Sequence, residues 1–167
     1  MPLSEGALYA CYRRMEKPLY NVLYRWLWQA QECQDMIHDA FMRIWEKRAS
    51  VDETKLDSLV WTTALNLARN RLRWRALWRF AESDGDATAT ADDDPFEAAA
   101  RRQRDTRLRI ALATLPRAMR QVLLLSEFGG LGIAEIAQAL DIPSGTVGSR
   151  KHHALAQLRA QLKEETP

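Results

Sequence analysis

The sequence predicts an all-α chain of two small helical domains joined by a flexible acidic linker. Three observations carry that expectation. Apolar residues recur at helical spacing in both halves of the 167 residues, clearest in Cys33, Met36, Ile37, Ala40, Phe41, Ile44 and Trp45. No run alternates with a period of two, as a half-buried strand would. Between the halves, Ala81–Pro95 reads AESDGDATATADDDP, small and acidic, with too little apolar surface to offset the entropy of ordering.

In chain order, Ser4 is placed to cap a helix carrying Leu8, Cys11, Tyr12 and Met15 on one face. Pro18 is expected to open a second helix with Leu19, Leu23, Trp26 and Leu27. The periodic segment around Ile37 is the third. Ala49–Asp57 reads as a loop. A fourth helix begins near Asp57 or Ser58 and runs to about Phe80, with Leu59, Val60, Thr63, Leu67 and Leu72 as inward positions. In the second half, Phe96–Thr114 stops at Leu115-Pro116. Arg117–Phe128 follows, with Met119, Val122, Leu123 and Ser126 along one stripe, and Gly129-Gly130 ends it. Ile133–Leu140 and Ser144–Lys163 close the chain as two helices across a short turn.

Composition excludes several classes. Apolar residues make up 47%, enough for a core, and no stretch approaches the roughly 20 apolar residues of a membrane span. The N-terminus lacks the basic and apolar regions of a secretory signal, so a cytoplasmic chain is expected. Cys11 and Cys33 make no disulfide framework and fall on apolar faces, as core thiols. Glycine-rich phosphate cradles are missing. His152 and His153 are adjacent, so they diverge by about 100° on a helix, and Cys33 and His38 also diverge. No metal or other cofactor is expected.

The formal net charge of +2 conceals a pattern: residues 1–80 carry +4, residues 81–106 carry −5 and residues 107–167 carry +3. Basic ends around an acidic middle point to polyanion binding by the ends. Two motifs sharpen this. Ile133–Arg150, IAEIAQALDIPSGTVGSR, has the parts of a helix-turn-helix. Ala137 is small where the helices meet, and Asp141-Ile142-Pro143 can make the turn, since Asp tolerates a left-handed conformation. Ile133, Ile136, Leu140, Ile142 and Val147 anchor both helices. Ser144 is placed to cap the second helix, leaving Ser144, Thr146, Ser149, Arg150, Lys151 and His153 toward a phosphate backbone and major groove. The other motif is Ala68–Phe80, ARNRLRWRALWRF, where Arg69, Arg71, Arg73, Arg75 and Arg79 interleave with Trp74, Trp78 and Phe80. Arginines neutralise phosphates, and rings stack on unpaired bases or pack in the core.

These residues resemble the sigma-70 family of RNA polymerase sigma factors, extracytoplasmic-function (ECF) type. Asp35–Trp45, DMIHDAFMRIW, is similar to the family's region 2.2 segment, usually of the form DLvQEtFlraW. Leu65–Arg71, LNLARNR, resembles the helix after the region 2 loop, and Leu115–Arg159 resembles region 4 throughout. The resemblance spans about residues 5–80 and 107–162. It implies region 2 at 1–80, an acidic linker at 81–106 that threads near the polymerase's nucleic-acid channel, and region 4 at 107–167.

The resemblance further implies residue roles. Asp35, His38, Asp39, Arg43 and Trp45 would meet the coiled coil of the core polymerase clamp, with Phe41 on the same helix. Lys55 in the Ala49–Leu56 loop, with Arg69, Asn70, Arg71, Arg73 and Trp74, would hold and unstack the −10 element of promoter DNA. The helix-turn-helix would read −35. The chain would be a monomer when free, held inactive by an anti-sigma factor, and without catalytic chemistry of its own. Six positions depart from the family's usual residues: Gly148, His153, Ala154 and Leu155 where it is more basic, Thr63 where it has tryptophan, and His38 where it has glutamine. The residues alone leave two alternatives. One is a stand-alone helix-turn-helix repressor or activator, and the other a recombinase-like enzyme, for which no nucleophile or acidic cluster is evident.

Overall fold

The structure, a computed structural model, describes residues 2–78 and 94–164. Arg79, Phe80 and the acidic run from Ala81 to residue 93 lie outside the described residues, as does the side chain of Trp78. Every regular element among the described residues is helical, and the helices fall into two units.

The first unit packs α1 (Glu5–Leu27), α2 (Ala30–Glu46) and α3 (Leu56–Trp78) against one another. The Ser4 hydroxyl accepts from the Ala7 amide at 3.1 Å, so the expected cap is present. Pro18 does not open a new helix: it sits inside a continuous 23-residue α1. A mid-helix proline costs about 3 kcal/mol through its missing N–H and a clash with the preceding turn. Burial on both sides of it outweighs that cost, because Cys11, Met15, Leu19, Val22, Leu23, Trp26 and Leu27 form one unbroken inward stripe.

In α2 the inward residues are Cys33, Ile37, Ala40, Phe41 and Ile44, while Met36 and Trp45 are half-buried. The segment expected to be a loop contains two 3-10 turns, Arg48–Ser50 and Glu53–Lys55, and Val51 between them is buried. Helix α3 starts at Leu56 and buries Leu56, Val60, Trp61, Ala64, Leu65 and Ala68. Of the expected inward set only Val60 is fully buried. Leu59 is exposed, and Thr63, Leu67 and Leu72 are half-buried. Small alanines at 64 and 68 let the helix approach its neighbours on that side, which a pattern weighted toward large side chains overlooks. Thr63 turns its hydroxyl back to the Leu59 carbonyl at 2.7 Å.

The second unit holds α4 (Pro95–Ala113), α5 (Arg117–Glu127), α6 (Ile133–Leu140) and α7 (Ser144–Glu164). The end of the segment counted as linker, from Pro95 to residue 106, is thus helical. Asp94 caps α4 by accepting from the Phe96 amide at 3.2 Å, with Pro95 in its first turn. Helix α5 packs on α7 and buries Val122, Leu123, Leu124 and Leu125. Ser126 is half-buried at the edge of that core. Two bonds from α7 tie the end of α4. Gln157 Nε2 donates to the Thr114 carbonyl at 3.1 Å, and Gln161 Nε2 to Thr114 Oγ1 at 2.6 Å.

Candidate nucleic-acid and polymerase interface

Two left-handed residues bracket α6. Gly130 has φ +71°, where any side chain would be strained, and the Leu131 amide beyond it donates back to the Leu125 carbonyl. Asp141 has φ 54°, and the Ile142 amide donates to the Ala137 carbonyl at 3.0 Å. Asp141 thus makes the turn its type allows. Glu135 reaches back to the Gly132 amide at 2.7 Å and fixes the start of α6.

The expected capping role of Ser144 is not realised. Thr146 and Val147 donate their amides to the Pro143 carbonyl, so α7 already includes Ser144 as its first residue. Proline lacks an N–H and suits the position just before a helix. Of the expected anchors, Ile136 and Val147 are buried, Leu140 and Ile142 are half-buried, and Ile133 is 47% exposed. Ile133 is the first residue of α6, too early in the helix to be carried inward with Ile136.

Val147 and Ala154, two turns apart, are the buried residues of α7. Gly145, Ser149, His152, His153 and Ala156 are exposed on the other side. The hydroxyl of Ser149 lies 3.5 Å from His153 Nδ1, and the two histidine rings are 5.8 Å apart. Thr146, Arg150 and Lys151 flank this face, half-buried. Lys151 pairs with Glu127 at 3.5 Å, whereas Arg150 has no ion-pair partner among the described residues. His152 belongs with the outward set. Helical spacing from Gly145 and Ser149 is the signal that places it there.

In the first unit, Asn66, Asn70, Arg73 and Leu77 form one exposed row along α3, with Arg69 half-buried beside it. Trp74 is 59% exposed, so of its two readings core packing falls away. Arg71 is not simply presented outward: it donates to Glu32 Oε1 through Nη2 at 2.7 Å and through Nε at 3.1 Å. Arg75 pairs with the other oxygen of Glu32 and donates to the Leu27 carbonyl at 2.8 Å. Glu32, absent from the expected set, therefore joins α2 to two arginines of α3. Its signal in the sequence was faint, a lone acid outside the Asp35–Trp45 motif.

Asp35 and Asp39, from the polymerase-binding set, and Arg71 and Trp74, from the −10 set, line one groove. Its volume is about 390 Å³, and Glu32, Met36 and Leu67 complete it. Asp39 pairs with Arg43 one turn on at 3.2 Å, and Asp35 accepts from Gln31 at 3.0 Å. His38 is exposed on the same helix. The Arg48 guanidinium lies 4.5 Å from the Trp45 ring centroid and donates to the Trp45 carbonyl. Lys55 is exposed on its 3-10 turn. Asp52 sets that turn by accepting from the Thr54 hydroxyl at 2.7 Å and amide at 3.0 Å, bonds that hold its carboxyl below the ordinary range.

Comparisons with known proteins agree across both units. Residues 11–81 match the family model for Sigma-70 region 2, and residues 106–158 match that for Sigma-70, region 4. The chain is 30% identical over 166 residues to the ECF RNA polymerase sigma factor SigL of Mycobacterium tuberculosis, covering 96% of this chain and 92% of SigL. It is 27% identical over 156 residues to the ECF RNA polymerase sigma factor SigW of Bacillus subtilis, covering 87% and 83%. Among solved structures, CnrH in complex with the cytosolic domain of CnrY superposes with a TM-score of 0.75 at 20% identity, covering 98% of this chain and 92% of the other.

Proposed function

We propose how this chain works from one premise: it belongs to the ECF sigma factors of the sigma-70 family. As such it binds core RNA polymerase and promoter DNA and directs promoter-specific transcription initiation. Sigma factors are in general non-enzymatic initiation factors. In our reading the polymerase makes every bond, and this chain, working in the cytoplasm, supplies promoter choice and strand opening.

The division of work follows the surfaces. Helix α2 offers Asp35, His38, Asp39, Arg43 and Trp45 to the polymerase clamp. Helix α3 offers Arg69, Asn70, Arg73 and Trp74, with Lys55 from the preceding turn, to the −10 element. Phosphates are neutralised by the arginines, and a splayed base stacks on the exposed indole. Helix α7 offers Ser149, Arg150, His152 and His153, with Ser144, Thr146 and Lys151 at its edge, to the −35 element. Residues 81–93 act as an acidic linker. An anti-sigma factor restrains the chain. The solved relative CnrH is bound to CnrY, and the sigma factor RpoE of Bartonella quintana is bound to the anti-sigma factor NepR.

The observation that carries the reading is the exposed indole of Trp74 beside the Asn66–Asn70–Arg73 row, in a chain that also holds a helix-turn-helix. A stand-alone repressor has no use for such a single-strand platform. The test is co-elution with purified core polymerase, followed by transcription from a genomic fragment library. Stable binding with new discrete start sites is the expected result. Tight duplex binding by the chain alone, with no binding to core, would overturn the reading.

A further inference from the structure

A second groove opens between α1 and α2, on the other side of α2 from the one that holds Trp74. Its volume is about 570 Å³, within the range of small-molecule sites. Helix α1 lines it with Tyr12, Arg13, Glu16, Lys17 and Tyr20, which share one helix face. Gln34 and the buried Ile37 of α2 close it from the other side. The Tyr20 ring is stacked on Tyr24, with centroids 5.7 Å apart and planes 13° apart. Tyr24 lies one turn on, away from Glu16, so the second face of Tyr20 is left to the groove. Tyr12 is fixed by an edge contact with Phe41 at 5.2 Å and by donating its hydroxyl to Glu16 Oε1 at 3.1 Å. Arg13 and Lys17 stand one turn apart, both exposed, and neither has an ion-pair partner among the described residues. At about 1.5 Å rise per residue, Glu16 lies about 6 Å along α1 from Tyr20, and Arg13 about 10 Å. An aromatic face, a carboxylate and a cation thus follow one another along one helix edge, with Lys17 beside them.

We propose that the groove between α1 and α2 binds a purine nucleoside diphosphate. The base stacks on Tyr20 over the Ile37 floor and extends the Tyr24–Tyr20 stack. Gln34 meets a polar edge of the base, since its amide both donates and accepts. Glu16 accepts from the ribose hydroxyls, as carboxylates do in dinucleotide sites. Arg13 and Lys17 hold the phosphates through charge-assisted bonds. A phosphate group alone would meet the like charge of Glu16 and gain nothing from Tyr20, so the lining fits a nucleotide better than a free anion. None of these residues belongs to the sets assigned to polymerase, the −10 element or the −35 element. The proposal therefore stands whether or not those assignments hold.

The test is isothermal titration of the full chain with ADP and, separately, GDP, beside adenosine, inorganic pyrophosphate and CDP. At least one purine diphosphate should bind, and the other three probes should bind at least about tenfold more weakly than it does. The Arg13→Gln, Lys17→Gln double variant should lose about tenfold or more in affinity for that diphosphate. Tyr20→Leu should lose as much, whereas Tyr20→Phe, which keeps the ring, should retain binding. Arg13 and Lys17 are exposed, so their replacement leaves the core untouched, and far-UV circular dichroism checks that each variant remains helical. No binding of either purine diphosphate would overturn the proposal. Pyrophosphate binding as tightly as the nucleotide would also overturn it, since the groove would then be a plain anion patch. So would nucleotide binding that ignores these variants, or its displacement by a single-stranded oligodeoxythymidylate, since the occupant would then be nucleic acid.

Discussion

Glu32 on α2 and Arg71 on α3 meet through two bonds to one carboxylate oxygen, at 2.7 and 3.1 Å, while the other oxygen takes Arg75. Glu32 is largely shielded from water and Arg71 is half-exposed. Glu32→Gln should therefore cost more stability than Arg71→Ala. Loss of a charge-assisted bond at a shielded site costs about 1.5–3 kcal/mol, and loss of an exposed partner under about 1. Urea denaturation of both variants checks the order. A larger loss for Arg71→Ala would show that Arg75 does not hold Glu32 unaided.

Asn70→Ala should impair promoter opening and leave core polymerase binding intact. Asn70 is exposed on α3, and it does not line the α2–α3 groove. Permanganate reactivity of the −10 thymines reads opening, and co-elution reads binding. Equal loss of both would remove Asn70 from the −10 set.

Arg150 and Lys151 are neighbours that differ in their ion pairing among the described residues. Lys151 pairs with Glu127, so part of its charge is met within the fold. Arg150→Ala should weaken −35-dependent binding by about 1–3 kcal/mol. Lys151→Ala should weaken it less. Holoenzyme affinity for promoters with intact and scrambled −35 elements separates the two, and equal effects would contradict the assignment.

A Cβ built at Gly148 meets nothing within 4 Å, so packing does not demand glycine there. Gly148→Lys should stabilise α7 by up to about 1 kcal/mol through helix propensity. It should also steepen the salt dependence of promoter binding by about one phosphate contact. Thermal unfolding and binding between low and moderate salt test both halves. A destabilised variant would show that glycine is required for a reason other than space.

Burial pushes the Cys11 and Cys33 thiols up to about 12, with Asp57 adding to the effect at Cys11 and Glu32 at Cys33. A raised thiol pKa favours the neutral form in the folded state. The associated stability is complete below the ordinary value of 9.0 and drains away as pH climbs from there toward 12. The Cys11→Ala, Cys33→Ala variant should show a shallower alkaline decline in unfolding free energy than the parent chain. Native protein at pH 8 should also resist iodoacetamide until denaturant is added. Fast native labelling would contradict the burial.

The all-helical architecture was legible because the period of α2 and the glycine and proline punctuation of α5 to α7 are local signals. So was the αL turn at Asp141. Legibility failed where a tertiary gain overrode a local rule. Pro18 reads as a helix start, and only the packed stripe on both sides of it keeps α1 continuous. Ile133 reads as an anchor, but its place at the first turn of α6 leaves it exposed. In the site, the arginine–tryptophan motif was plain in composition. That Arg71 and Arg75 are engaged by Glu32 is a contact between residues 39 and 43 positions apart, which no local pattern encodes.

Two side chains seven positions apart, Val147 and Ala154, carry the burial of α7, and the residues on its opposite side bear none of it. Holding the helix and choosing what it touches are therefore separate tasks, assigned to separate residues. Ser149, His152 and His153 can be exchanged in descendants of this gene without unsettling the fold. On the proposed assignment of this face to the −35 element, promoter preference is free to drift by single substitutions, and a duplicated copy could acquire a new set of target genes before it needed any change in its core.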